Sequence, residues 1–247
     1  NLNEELPFCN WPRRIVFKQR EPGTDEVAGA IIGLTLPELT THVALSDVLR
    51  DKSNRARMTH ERGIHIGVSL ADQLHRLHTH PWRFVVGDLS PNNLLVDYTF
   101  SSIHFIDMDA VRFSPGPGYP TFDTPGTTAN YRSPEYFHAS NQGQLSSAHD
   151  DFVLAILLFQ ILMAISGLDG VHPFLDVDAS EDDNIQRGRF PYVDALRPTQ
   201  VADAPAAVYV AWHSDLRGAF EAVFTGKQAM TAKQWAELLA KYRRSLR

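Results

Sequence analysis

The sequence predicts an α+β fold that is mainly helical, with a small β-rich part at its front. Three observations lead there. Residues 1–40 hold short apolar runs broken by turn chemistry, which is the signature of strands. Residues 60–79 place Ile64, Ile66, Val68, Leu70, Leu74 and Leu77 along a broad apolar face, as a long helix requires. Residues 152–168 contain no charged side chain at all, as a helix buried on every side would. With 247 residues, 43% apolar and 21% charged, the chain is long and apolar enough to bury a real core.

At the front, Arg14-Ile15-Val16-Phe17 reads as a strand and residues 27–36 as a second. Pro22-Gly23-Thr24-Asp25 supplies the turn between them, and Pro37 ends the second strand because proline cannot donate to a ladder. Residues 44–50 fit a short helix, and residues 51–57 a charged, solvated connector. The helix over residues 60–79 stops before Pro81, and Gly63 and Gly67 within it allow close packing. Short apolar runs at 84–86, 94–96 and 103–106 read as strands. Residues 110–148 are irregular, with Ser114-Pro115-Gly116-Pro117-Gly118-Tyr119-Pro120 excluding regular structure. Ahead of the uncharged run, Asp150 or Asp151 sits where a helix N-cap belongs. Residues 170–174 form a turn, and the acidic stretch 176–183 is expected at the surface. Helical pieces follow at 204–212 and 216–224. An amphipathic terminal helix spans 231–245, capped by Thr231 with Trp235, Leu238, Leu239 and Tyr242 inward.

Composition excludes some classes. A net charge of −6 argues against a nucleic-acid binder working by bulk electrostatics. The single cysteine, Cys9, rules out an intramolecular disulfide and fits a reducing, cytoplasmic setting. The histidines form no close-spaced ligand pair. Residues 1–6 are polar and show no signal-peptide pattern, and the lack of an initiator Met suggests a trimmed chain or one that begins within a longer protein. Residues 152–168 are short for a membrane span and lack a basic flank, so no membrane is expected.

The chemistry-bearing stretch is Val85-Val86-Gly87-Asp88-Leu89-Ser90-Pro91-Asn92-Asn93-Leu94-Leu95-Val96-Asp97, followed by Ile103-His104-Phe105-Ile106-Asp107-Met108-Asp109. Apolar runs deliver Asp88, Asn93 and Asp107 to strand ends. Phosphoryl transfer uses such a set: a carboxylate to orient an attacking hydroxyl, and an amide with a second carboxylate to hold Mg²⁺ on nucleotide phosphates. The plain alternative is that Asp88 and Asn93 only shape a turn.

Taken in order, these segments resemble the eukaryotic-like protein kinase fold, chiefly its helical C-lobe. Val86-Gly87-Asp88 stands at the H-R-D place, with Asn93 at the family's Asp-x4-Asn spacing. Asp107-Met108-Asp109 takes the D-F-G place, Ser133-Pro134-Glu135 the A-P-E place, and Asp150 opens the buried helix. Gly87-Asp88-Leu89-Ser90-Pro91-Asn92-Asn93, the D-x-D at 107–109, His149-Asp150-Asp151-Phe152 and His172-Pro173-Phe174 are most similar to bacterial Ser/Thr kinases of the tellurite-resistance-associated type. The likeness runs from about Trp11 to Trp235. It implies a truncated β-rich N-lobe over residues 1–40 and a C-lobe over residues 41–247.

The resemblance implies a protein serine/threonine kinase using ATP and Mg²⁺ on a protein substrate, with further domains N-terminal to this segment. Asp88, Asn93 and Asp107 would be catalytic, with Asn93 and Asp107 on the metal. Leu36, Leu95, Ile106, Ser90 and Thr128 would line the nucleotide site: Leu95 under the adenine, residues 35–39 as hinge, and Thr128 against the catalytic Asp. Asp109 stands in the family's Gly place and is read as structural, and Asp150 as bonding backbone beneath the loop. Departures are plain. Gly87 replaces the Arg that pairs with an activation-loop phosphate, Ser90 replaces a Lys, and Ala229 stands where an Arg usually pairs with the A-P-E Glu. No G-x-G-x-x-G loop occurs, and Lys18, the lysine of the strand region, lies at a turn. Two other classes therefore stay open: a pseudokinase scaffold, and a small-molecule phosphotransferase of the aminoglycoside or choline kinase kind. The Ser133-Pro134-Glu135 segment weighs against the latter.

Overall fold

The uncharged run becomes the central helix of the molecule. In the computed structural model, which describes residues 2–17, 31–114, 116, 121–123, 126–138, 144–175, 179–193 and 201–245, helix α6 (Ser147–Ile165) is buried along nearly its whole length. It passes the length and hydropathy test for a membrane span, but 83% of that window is buried inside the protein. The fold is mixed α+β, mostly helical, with two small antiparallel sheets.

Helix α4 (His60–Thr79) forms over the residues its periodicity predicts, buries Ile64, Ile66, Leu70, Leu74 and Leu77, and lies along α6 and the terminal helix α10 (Ala232–Ser245). The approach is close at Gly63, where a β-carbon would collide with the Ile165 side chain. Helix α10 starts in a capping box: the Thr231 N–H donates to Gln234 Oε1 at 2.8 Å, and Thr231 Oγ1 accepts from the Gln234 N–H at 3.4 Å. Trp235 and Leu239 are fully buried, while Leu238 and Tyr242 are half-buried. Beyond α6, α7 (Glu181–Gln186), α8 (Asp203–Ala211) and α9 (Ser214–Phe224) enclose an aromatic cluster. Phe159 stands at its centre, against Phe190, Tyr192, Tyr209, Trp212, Phe220 and Phe224.

The sheets are β1 (Arg14–Phe17) with β2 (Ile31–Thr35), and β3 (His42–Ala44) with β4 (Leu94–Asp97) and β5 (Ile103–Phe105). The second has the order β3-β4-β5, with Ala44 opposite Leu95 and Leu95 opposite His104. Asp97 closes the β4–β5 turn by accepting from Thr99, Ser101 and Ser102 hydroxyls at 2.6–2.7 Å. Burial acts to raise its pKa, but those donors hold it well below the usual carboxylate range.

Several expectations need correction. Residues 2–5 form a short helix, α1 (Leu2–Glu5), not a strand. Leu6, Phe8 and Cys9 then pack into the main core, and residues 8–10 pair with Phe105, so this part belongs to the larger body. The β1–β2 hairpin lies outside that core, with Ile15, Val16 and Leu34 exposed. The charged, solvated stretch 51–57 is helical over most of its length. Asp51 accepts the Asn54 N–H at 2.8 Å and caps α3 (Lys52–Arg57), a helix with no buried residue, which is why no periodicity marks it. The short strand β3 ahead of α2 (Leu45–Arg50) shows no alternation in three residues. Residues 84–86 carry a single bridge, Val85 to Arg112, in place of a strand. The cap of α6 is Ser146, whose Oγ accepts the Ala148 N–H at 3.2 Å; Asp150 and Asp151 lie inside the helix. The acidic stretch is helical over α7, and Asp182 is half-buried rather than free at the surface. The turn at residues 22–25, Lys18, residues 27–30, most of the segment after Ser114, and residues 176–178 lie outside the described residues.

Candidate active site

Residues 84–93 run from the end of α4 into β4 as a loop held from beneath. Asp150, fully buried in the first turn of α6, accepts the Val86 N–H at 2.7 Å and the Gly87 N–H at 2.9 Å. Gly87 turns the chain with a left-handed φ of 72°, which suits glycine because no β-carbon clashes. His78 meets Asp150 at 3.0 Å. Burial acts to lower the His78 pKa, yet the hydrogen bond to Asp150 and the charges of Asp150 and Asp151 raise it above the ordinary value. On the other side, His149 Nε2 donates to the Gly87 carbonyl at 2.9 Å, and its Nδ1 accepts from the Ser133 hydroxyl at 3.0 Å. This tautomer follows from the partners, and burial keeps His149 neutral by lowering its pKa.

Above this support stands Asp88, half-buried. Asn93 Nδ2 donates to Asp88 Oδ2 at 3.0 Å and to the Asp88 carbonyl at 2.9 Å. Thr128 donates to Asp88 Oδ1 from its hydroxyl at 2.6 Å and also from its N–H. Both carboxylate oxygens are thereby oriented. A 3₁₀ turn over Pro91–Asn93 leads into β4. At the far end of the ladder the Ile106 N–H donates to the Asn93 carbonyl at 2.9 Å. Asp107 follows, one residue past that pairing, in a left-handed conformation at φ 55°, ψ 46°. Asp tolerates this region better than most residues. Its exposed carboxylate accepts no hydrogen bond among the described residues.

Strand alternation assigns the faces. Leu94, Val96, Ile103 and Phe105 are buried in the core, while Asn93, Leu95, His104 and Ile106 share the half-buried face. His42 and His104 meet edge-on there with ring centroids 4.8 Å apart, and burial, then the neighbouring His42, lowers the His104 pKa. The geometry brings Asp88, Asn93 and Thr128 together at one end of a small sheet whose half-buried face carries Leu95 and Ile106, with Asp107 following Ile106 in the chain. Leu36, after β2, is 57% exposed and lies outside that ladder. Ser90 is the exception. It is fully buried with its hydroxyl unpartnered, so in this conformation it offers nothing to a ligand.

Thr128 is held by the segment after it. The Asn130 N–H donates to Asp182 Oδ1 at 3.1 Å, and the Asn130 carbonyl accepts from His172 Nε2 at 2.9 Å. Tyr131 donates to Gln160 Oε1 at 3.1 Å, and Arg132 pairs with Asp182 at 2.8 Å. Glu135 accepts from the Ser146 N–H and hydroxyl at 3.0 and 2.9 Å. Nothing in the spacing of Asp182, Gln160 or Ser146 signals these roles, because each depends on a contact between distant elements.

A divalent cation suits the donors present. Asn93 Oδ1 and the Asp107 carboxylate are hard oxygens with no hydrogen bond among the described residues. Among those residues no group of three or more His, Cys, Asp or Glu side chains could hold a metal alone. Such a pair fits Mg²⁺, which is usually bound by one or two side chains with phosphate oxygens and water completing its shell. No model of a known protein family matches this chain, and no curated protein matches it.

Proposed function

We propose that the chain is an ATP-dependent protein kinase of the Ser/Thr type, cytoplasmic, transferring the γ-phosphoryl group to a hydroxyl of a protein substrate. On this reading the helical body is a protein-kinase-like C-lobe and the β1–β2 hairpin a truncated N-lobe. The observation that supports it most is the Asp88 carboxylate, fixed at both oxygens by Asn93 and Thr128, with Asn93 Oδ1 accepting no hydrogen bond among the described residues.

Asp88 orients the acceptor hydroxyl and takes up its proton, a positioning effect that needs the carboxylate held in one rotamer. Asn93 spends its amide N–H₂ on Asp88 and keeps its carbonyl oxygen for the metal, so one side chain couples both halves of the site. Mg²⁺, when bound, neutralises the charge of the nucleotide phosphates. Leu95 and Ile106 offer an apolar surface to the adenine.

A second reading is a pseudokinase-like binding module. The described strands β1 and β2, Arg-Ile-Val-Phe and Ile-Ile-Gly-Leu-Thr, contain no lysine to grip a phosphate. Calorimetric titration of ATP with Mg²⁺ and with EDTA, on the wild type and on Asp107→Ala, separates the readings when paired with an assay of phosphate transfer to a mixed protein substrate. The kinase reading predicts Mg²⁺-dependent binding weakened at least 10-fold by Asp107→Ala, together with transfer. Nucleotide binding without transfer favours the module, and no nucleotide binding contradicts the kinase reading.

A further inference from the structure

A groove of about 440 Å³ opens where the start of α5 (Pro134–His138), the start of α6 and the α9–α10 connection meet. Its walls are apolar: Pro134, Phe152, Val223 and Met230. Two carboxylates, Glu135 and Asp151, face it, and no Lys, Arg or His is among its described lining residues. Among the described residues the Glu135 oxygens receive neutral donors only, the N–H and hydroxyl of Ser146. Asp151 Oδ1 accepts the Ala232 N–H at 2.7 Å. The nearest base, His78, is 3.7 Å from it and closer to Asp150, at 3.0 Å. Asp151 thus lies within ion-pair range of His78, and burial raises its pKa to about 6, so Glu135 is the groove carboxylate that has no basic partner among the described residues.

We propose that this groove docks an arginine side chain presented by an extended peptide segment of a partner protein. Apolar walls with carboxylates among them match an aliphatic stem with a charged head, and a planar guanidinium pairs with a carboxylate through two parallel hydrogen bonds. Ala229, small and exposed at the rim, leaves the entrance open. The volume lies within the roughly 300–1,000 Å³ of ligand pockets and exceeds the needs of a single side chain. Beside it, the backbone N–H groups of Ala229 and Met230 make no hydrogen bond among the described residues, so an extended backbone has donors to pair with. The groove would serve a catalytic protein and a scaffold equally, so the inference stands apart from phosphoryl transfer.

The test is a titration followed by amide NMR on the whole chain with three probes: acetyl-Ala-Arg-Ala-amide, the same tripeptide with Gln in place of Arg, and agmatine. The Arg peptide is expected to shift the Phe152, Ala229 and Met230 amides at millimolar concentration and to bind at least 10-fold more tightly than the Gln peptide. Ala229→Arg, which fills the groove with the chain's own guanidinium, is expected to abolish the response. Glu135→Gln is expected to weaken binding several-fold, and its α6 amide shifts report whether the cap survives. Equal binding of the Gln peptide, shifts elsewhere, or unchanged binding by Ala229→Arg would overturn the proposal. Agmatine binding as tightly as the peptide overturns the assignment of a peptide partner, as do concentration-dependent shifts in the absence of any probe.

Discussion

Thr128 and His172 show how single side chains set the site. Thr128 Oγ1 donates to an ionised carboxylate at 2.6 Å, and such bonds contribute about 1.5–3 kcal/mol. On the proposed function, Thr128→Val keeps the shape and the backbone donor but removes the hydroxyl, leaving Asp88 Oδ1 held by the N–H alone. Turnover is expected to fall about 10- to 100-fold, with little change in the melting temperature; steady-state kinetics beside calorimetry check this. His172 is buried against the Asn130 carbonyl, and that burial lowers its pKa to about 4. The folded state therefore favours neutral imidazole. Its stabilisation is complete above the unfolded value near 6.5 and is lost as pH falls toward 4, roughly 2 kcal/mol between pH 6.5 and 5. His172→Gln, which can still donate to Asn130, is expected to shrink the difference in unfolding free energy between pH 7 and pH 5 by about that amount. An unchanged difference in urea titrations would show that His172 does not carry this pH dependence. Of the site's residues, Asp88, Asn93 and Asp107 are legible in the sequence because their spacing is local. Asp182, Gln160 and Ser146 are not, since each meets its partner only after the fold has formed.

Elements were legible where a pattern extends over several turns. Helix α4 has the predicted bounds because its apolar face and Pro81 mark both body and end. Helix α3 buries nothing, and β3 spans three residues, so neither leaves a periodic trace. Residues 84–86 are apolar for burial, not for pairing: Val85 makes the one bridge and Asp150 takes the backbone donors that a neighbouring strand would have used. Packing between elements is tightest at Gly63, where a β-carbon meets Ile165 of α6. Gly63→Ala is expected to cost about 1–3 kcal/mol by forcing α4 away from α6, measurable by chemical denaturation. Phe159, inside the aromatic cluster of α6 to α9, is expected to cost about 3–5 kcal/mol when truncated to Ala.

At the scale of the molecule, one body carries every part of the candidate site except Leu36. The α+β class is what composition and periodicity predict. Leu6, Phe8 and Cys9 join the core cluster that holds α4 and α6. Only long-range contacts decide that, and the short apolar run around them carries no sign of its partner, Phe105. Within the body the chemistry is preorganised in layers: α6 holds the loop through Asp150 and His149, the loop holds Asp88, and the segment through Asn130 and Tyr131 holds Thr128 upon it. The most direct measurement is single-turnover transfer of labelled γ-phosphate from Mg·ATP to protein, comparing the wild type with Asp88→Asn at equal nucleotide occupancy. The account predicts transfer by the wild type and a rate at least 100-fold lower in Asp88→Asn with nucleotide affinity unchanged; equal rates in the two proteins would contradict it.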